Sequence, residues 1–205
     1  MIERVLRVTL RFSSPVHHGS GDGLAGIVDR AFVRDWRGVP YLAGSALKGK
    51  FRYSAGLVIN AAGEPACQTD HACRSAPICQ SCELFGSARR QGLAAFSDAF
   101  PDEKDWLIDE AKASASLLFR IGPTMIRSTT AINRQTLTTE KQHLFTTETV
   151  QSFVIFAGEI RGRLRTGHVE LLKRSAAMLS HFGADSARGL GHCSYEIQAD
   201  EGNGR

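Results

Sequence analysis

Between Cys67 and Cys82 the chain reads CQTDHACRSAPICQSC, which places four of its five cysteines and one histidine within sixteen positions. A disulfide staple, a redox switch, a catalytic nucleophile and a metal site are the uses to weigh for such a cluster. A disulfide staple needs an oxidising compartment. The N-terminus MIERVLRVTLRF has no signal-peptide core, because arginines interrupt its apolar residues. The thiols are therefore expected in a reducing cytosol. A thioredoxin-like C-x-x-C follows a strand and precedes a helix, and neither pattern surrounds Cys79 and Cys82. A catalytic thiolate wants a separate basic partner. A closed zinc site takes four nitrogen or sulfur ligands. The spacing favours Cys73, Cys79 and Cys82, with either Cys67 or His71 as the fourth. The expected Zn2+ is structural and clamps an inserted knuckle at residues 60–86. Cys193, apart from this group, reads as a core or edge thiol.

With 205 residues, 42% of them hydrophobic and 22% charged, the chain is long enough for one domain with its own core. The knuckle is thus an appendage, and its metal is not needed for collapse. A net charge of +4 says little about partners; clustering says more. Apolar runs such as FVIFA at 153–157 are far too short to cross a bilayer, so no membrane role is expected.

Leu6, Val8, Leu10 and Phe12 alternate with Arg7, Thr9 and Arg11, the period of a strand with one buried face. A glycine-rich turn follows, SSPVHHGSGDG, and then short extended segments through GIVDRAFVRDWRGVPYLAG. Ser45 is placed to cap a helix whose apolar residues Leu47, Phe51 and Leu57 fall near helical spacing. Strand character resumes at LAAFSDAF and from Arg120 to Leu164. There it surrounds a polar stretch, RSTTAINRQTLTTEKQH, read as a protruding hairpin at 127–147. GHVELLKRSAAMLSHF reads as an amphipathic helix ended by Gly183. A glycine loop, GADSARGLG, leads into a last strand. Strand, helix, strands, helix, strand suits an α+β fold: a ferredoxin-like antiparallel sheet with two helices on one face, as in RNA-recognition motifs. That plan serves many functions and assigns none.

Several groups suit an anionic ligand. Lys48, Lys50 and Arg52 follow the start of the first helix, where N–H groups also favour phosphate. Arg161, Arg163 and Arg165 alternate and so are expected on one strand face, where they either track a phosphate chain or simply face water. Arg188 sits in the glycine loop, a place where main-chain amides can approach an anion. His17 and His18 either do acid–base work or hydrogen-bond their loop. Asp29 and Asp35 are equal candidates for Mg2+ or for plain surface carboxylates.

The order of these pieces closely resembles one family. SPVHHGSGDG, GIVDRAFVRDWRGVPYLAGSALKGKFR, C-x-x-C-x-x-F-G and GADSARGLG follow one another as in the repeat-associated mysterious protein (RAMP) superfamily. The nearest likeness is to the Cas-seven backbone subunits of type III CRISPR effector complexes. The likeness runs from about Val5 to Ile197. It implies that His17, Gly19 and Gly21 form a turn beside the guide RNA. Ser45, Lys48, Lys50 and Arg52 would hold guide phosphates, and Arg188, Gly189 and Gly191 would pack against the same backbone. The polar hairpin, with Arg134, would be a thumb wedged between bases of the guide–target duplex. The resemblance also selects Asp29 over Asp35 as the residue that cuts target RNA, with Mg2+ or another divalent cation. The zinc insertion points to a type III-D-like lineage, in which some subunits no longer cut. The implied partners are guide RNA, complementary target RNA, further copies of the chain and other effector subunits, in a prokaryotic cytoplasm.

Overall fold

The computed structural model describes residues 2–19, 21–23, 28–67, 73, 75, 77–102, 124–132, 135–136 and 138–199. Strand β1 (Ile2–Phe12) lies at the centre of the main sheet and pairs antiparallel with β6 (Ile155–Leu164) and β7 (Cys193–Ala199). Short strands β2 (Ala94–Phe96) and β3 (Phe100–Pro101) both pair with the far edge of β6, giving the order β2-β6-β1-β7. A second, two-stranded sheet is the long hairpin of β4 (Thr124–Ile132) and β5 (Thr139–Val150).

The alternation in β1 becomes two faces. Leu6, Val8, Leu10 and Phe12 are at most 2% exposed, while Arg7 and Arg11 are exposed. Helix α1 (Gly44–Ala61) delivers Leu47, Phe51, Ala55 and Ile59 to the same core, a four-residue repeat that keeps one stripe inward. Helix α3 (Thr166–Met178) adds Val169, Leu172 and Ala176 and packs against α1 and β7. A fully buried phenylalanine such as Phe51 contributes roughly 1.5–3 kcal/mol of transfer free energy.

A short helix, α2 (Gln80–Phe85), follows Cys79 directly. The sequence pattern does not announce it, because one turn of helix has too few residues for a period. Leu84 and Phe85 anchor it in the core. Its Glu83 reaches the start of α3, 3.1 Å from Arg165 and 3.5 Å from His168.

Three local expectations need correction. The N-cap of α1 is Ala43, and Ser45 lies inside the helix without capping it. The cap is supplied from a distance, by Asp98 Oδ1 accepting the Gly44 N–H at 2.7 Å. Helix α3 ends at Met178, before Gly183, because the next residues pair elsewhere. Cys193 N donates to Ser180 O at 2.9 Å and Phe182 N to Gly191 O at 2.8 Å. Arg165 lies beyond the end of β6, at the N-cap of α3, so only Arg161 and Arg163 share the open sheet face, and Arg161 is ion-paired with Glu159.

Candidate functional site

The thiols of Cys67, Cys73, Cys79 and Cys82 come together, with all four sulfurs within 4.8 Å of one another. Tetrahedral zinc with Zn–S near 2.3 Å separates its sulfurs by about 3.8 Å. Cys67–Cys73 and Cys73–Cys79 measure 3.8 and 3.7 Å, so the donor set fits such an ion. Cys67 therefore supplies a fourth sulfur; His71 lies outside the described residues. Main-chain hydrogen bonds from Cys79 and Ser75 hold the Cys73 thiol down to about 6, whereas burial pushes the Cys82 thiol up. Cys79 also accepts the Cys82 N–H as the N-cap of α2. Cys193 is a core thiol, 2% exposed, and burial raises it to about 11.

A second region forms where the turn after β1, the segment 28–42 and the glycine loop meet the root of the β4–β5 hairpin. The free edge of β5 is the organiser. Val16 bridges to Val150, and Arg30 bridges in parallel to Thr147. Asp29 sits at this junction. Its Oδ2 accepts from Thr146 N at 2.7 Å and from Thr146 Oγ1 at 2.8 Å. The Thr146 main-chain bond first, and its hydroxyl second, hold the Asp29 carboxyl below the usual carboxylate range. Gly23 passes so close that a Cβ there would meet the Asp29 carbonyl oxygen at 2.7 Å, which only glycine permits.

One turn of β5 further, Glu148 is 4% exposed and accepts from Phe32 N at 2.8 Å and from Arg34. Arg34 in turn donates to Gly38 O at 2.7 Å and Thr124 Oγ1 at 3.2 Å. Asp35 organises its own turn, accepting from Arg37 N and Val39 N at 2.9 and 2.8 Å. Asp35 thus serves its own turn, whereas the bonds of Asp29 reach across to the hairpin at Thr146.

His17 is 3% exposed, and its Nδ1 lies 2.7 Å from the Glu148 carbonyl oxygen. The bonded partner is a carbonyl, so Nδ1 is the donor. Burial lowers its pKa, as it does for His18, which accepts from Ala43 N at 3.2 Å. Both rings are thus neutral and committed to shaping loops. Gly19 bridges to Phe32, and Gly21 turns with a φ of 92°.

The glycine loop closes on the same place. A Cβ on Gly183 would lie 2.2 Å from the His17 carbonyl oxygen. Asp185 adopts a left-handed conformation and pairs with Arg30 and, at 3.6 Å, with Arg188. Gly189 and Gly191 follow at φ of 81° and 75°. The His17 turn, Asp29, the glycine loop with Arg188 and the start of α1 are therefore neighbours. Lys48 and Arg52 share one side of α1, while Lys50, about 200° round from Lys48 at 100° per residue, faces the Cys193 side. Arg134 lies outside the described residues.

Thr146, Glu148, Arg30 and Asp185 were not visible as site residues in the sequence. Only their contacts across the β5 edge reveal them, and polar letters in a polar run carry no sign of that pairing.

The chain is therefore an α+β protein whose antiparallel sheet carries its helices on one face and whose glycine loop closes beside an exposed carboxylate. Residues 9–194 match the RAMP superfamily, and the chain belongs to it. No curated protein matches it. Among solved structures it resembles a chain in the cryo-EM structure of the Type III-B Cmr-beta bound to cognate target RNA. That match has 12% identity and a TM-score of 0.66, covering 94% of this chain and 96% of that one. A chain of the Type III-B Cmr-beta in the apo state is similar, at 11% identity and a TM-score of 0.64, with 97% and 98% covered. At such identities the likeness is one of fold. Among the described residues, no helix is long and apolar enough to cross a membrane.

Proposed function

We propose that the chain is a guide-RNA-binding backbone subunit of a type III CRISPR effector and that Asp29 serves the cleavage of bound target RNA. The observation that carries this is the junction itself. An exposed carboxylate lies beside the Arg188 loop, linked to it through Arg30 and Asp185. Membership of the RAMP superfamily and a fold similar to chains of a particle bound to target RNA support the assignment. The strand order β2-β6-β1-β7 with α1 and α3 on one face supports a ferredoxin-like core. The β4–β5 hairpin is the thumb in this reading. The four-thiol cluster, as a structural zinc knuckle, supports a type III-D-like lineage.

Asp29 is ionised at neutral pH, so it is a poor proton acceptor and a good electrostatic partner. Divalent Mg2+ commonly binds through one or two carboxylates plus phosphate oxygens and water. Asp29 would hold such an ion only together with the RNA. When bound, the ion would offset charge developing on the phosphate as the adjacent 2′-hydroxyl attacks. The chain itself contributes the fixed carboxylate, clasped by Thr146, and, in this reading, the glycine loop whose Arg188 orients the RNA backbone. His17 and His18, neutral and engaged, leave little room for metal-free acid–base cleavage.

An inert scaffold of the same family is the second reading. It is favoured by the absence, among the described residues, of a cluster of carboxylates around Asp29. The deciding experiment is Asp29→Ala in the assembled particle. Guide RNA should be retained while target cutting stops, and EDTA should abolish cutting by the unaltered particle. Cutting that survives Asp29→Ala assigns cleavage to a partner.

A further inference from the structure

Next to Asp29 the fold gathers three arginines from segments far apart in the chain. Arg30 follows Asp29, Arg127 comes from β4, and Arg188 from the glycine loop. With Thr129, Thr147 and Asp185 they line a recess of about 20 Å³. That is room for one water-sized group, so a ligand enters with an oxygen atom while its bulk stays outside.

We infer that this recess is a seat for one RNA phosphodiester, with Asp185 as the residue that sets its geometry. The inference rests on the RNA-binding reading above and adds Arg127, with Asp185 as an organiser, to the residues that reading uses. Three arginines and one carboxylate, Asp185, line the recess, and even with the neighbouring Asp29 counted one positive charge is left for an anion to neutralise. Arginine forks suit the spread oxygens of a phosphate better than a compact ammonium would. Arg30 is already oriented: its Nε donates to Thr147 Oγ1 at 3.2 Å and its Nη2 to Asp185. Arg188 lies 3.6 Å from the other oxygen of Asp185 and is 69% exposed, so it remains reachable from solvent. Asp185 itself is 18% exposed and held in the left-handed conformation by the loop, its carbonyl accepting from Arg188 N at 2.9 Å. A ligand thus meets two arginines already oriented, which reduces the entropy lost on binding.

The seat and a diffuse basic patch predict opposite outcomes for one substitution. Asp185→Asn removes a negative charge. A patch acting by net charge would then bind RNA more tightly, whereas a seat that has lost its organiser binds it more weakly. Asparagine tolerates the left-handed backbone as aspartate does, so the loop keeps its path. Arg127→Gln, on an exposed strand position, is the second variant, and thermal melting checks that both variants fold.

The experiment measures affinity of the full chain for a single-stranded 20-nucleotide RNA, and then for the same RNA with its complement, across a salt series. Arg127→Gln should weaken binding roughly tenfold and flatten the plot of log affinity against log salt by about 0.7, the share of one phosphate on a single strand. Asp185→Asn should weaken it as well. Weakening in the single-stranded arm assigns the phosphodiester to a guide-like strand; weakening seen only with the complement assigns it to the paired strand. Tighter binding by Asp185→Asn, or wild-type affinity and slope for Arg127→Gln in both arms, overturns the seat and leaves the RNA-binding reading standing. A wild-type chain with no affinity for either RNA overturns both.

Discussion

Asp29 and Thr146, 117 residues apart in sequence, clasp each other. Asp29 Oδ2 accepts both the N–H and the hydroxyl of Thr146, and the Asp29 N–H returns to Thr146 Oγ1 at 3.0 Å. Thr146→Val keeps the shape and deletes the hydroxyl. The Asp29 pKa should then rise toward its ordinary 3.8. The sign follows from linkage: a depressed folded pKa gives stability that is present above 3.8 and lost as pH falls through the lower folded value. Carboxyl-carbon NMR titration measures the shift. An unmoved titration would mean that the hydroxyl bond does not set the carboxylate.

Glu148 tests the root of the hairpin. Its carboxylate holds Arg34 and the Phe32 N–H, while its carbonyl holds His17. Glu148→Ala strands a largely buried guanidinium and an amide, a change that costs about 3–5 kcal/mol. At this chain length that is roughly a 6–20 °C fall in thermal midpoint. Arg34→Met combined with Glu148→Leu should recover part of the loss, because no charge is left unpaired. Equal melting of Glu148→Ala and wild type would show the ion pair to be ornamental.

The histidine pair predicts acid sensitivity. Burial lowers the pKa of His17 and of His18 below 6.5. Both are neutral in the fold and take up protons more readily when unfolded. Stability is therefore full above pH 6.5 and declines as pH falls through the lower folded values. Denaturant melts at pH 7.5 and 5.5 should show the decline, and His18→Gln should make it shallower. An identical decline in that variant would place the acid sensitivity elsewhere.

Metal analysis should find one zinc per chain. Cys82→Ser or exhaustive chelation should lower the thermal midpoint, with recovery when zinc is added back to the chelated chain. Removal acts beyond the knuckle, because Cys79 caps α2 and Glu83 of α2 holds Arg165 and His168 at the start of α3. Hydrogen exchange should therefore quicken at the first turn of α3. Unchanged exchange there would confine the metal to its own loop.

The main sheet was readable because β1 and α1 follow clean periods of two and near four. Buried letters at Leu6, Val8 and Leu10, or at Leu47 and Phe51, leave little choice of face. Cys73, Cys79 and Cys82 were readable as a group because few fates suit thiols so closely spaced, whereas spacing left the fourth member open between Cys67 and His71, and the structure brings Cys67 to the other three. The hairpin root was not. Thr147, Glu148 and Thr149 are 5%, 4% and 1% exposed, yet polar letters continuous with a solvent-facing hairpin suggest exposure. Thr147 and Glu148 bond to His17 and to residues 30–34, and Thr149 bonds to Met125 O, pairings that no local pattern encodes. The helix cap was misplaced for the same reason: Asp98 does from 54 positions away what Ser45 suggests locally. Lys50 looked like part of a basic triplet, but helical rotation takes it away from Lys48 and Arg52.

Strand β5 runs without interruption from Thr139, near the hairpin tip, to Val150 at its base. Near that base one edge grips β4, and the other grips the backbone on either side of Asp29. The arrangement is a lever with the carboxylate mounted close to its fulcrum. If RNA loads the tip, as the proposed function has it, the force would reach Asp29 through main-chain bonds, with no moving loop to relay it.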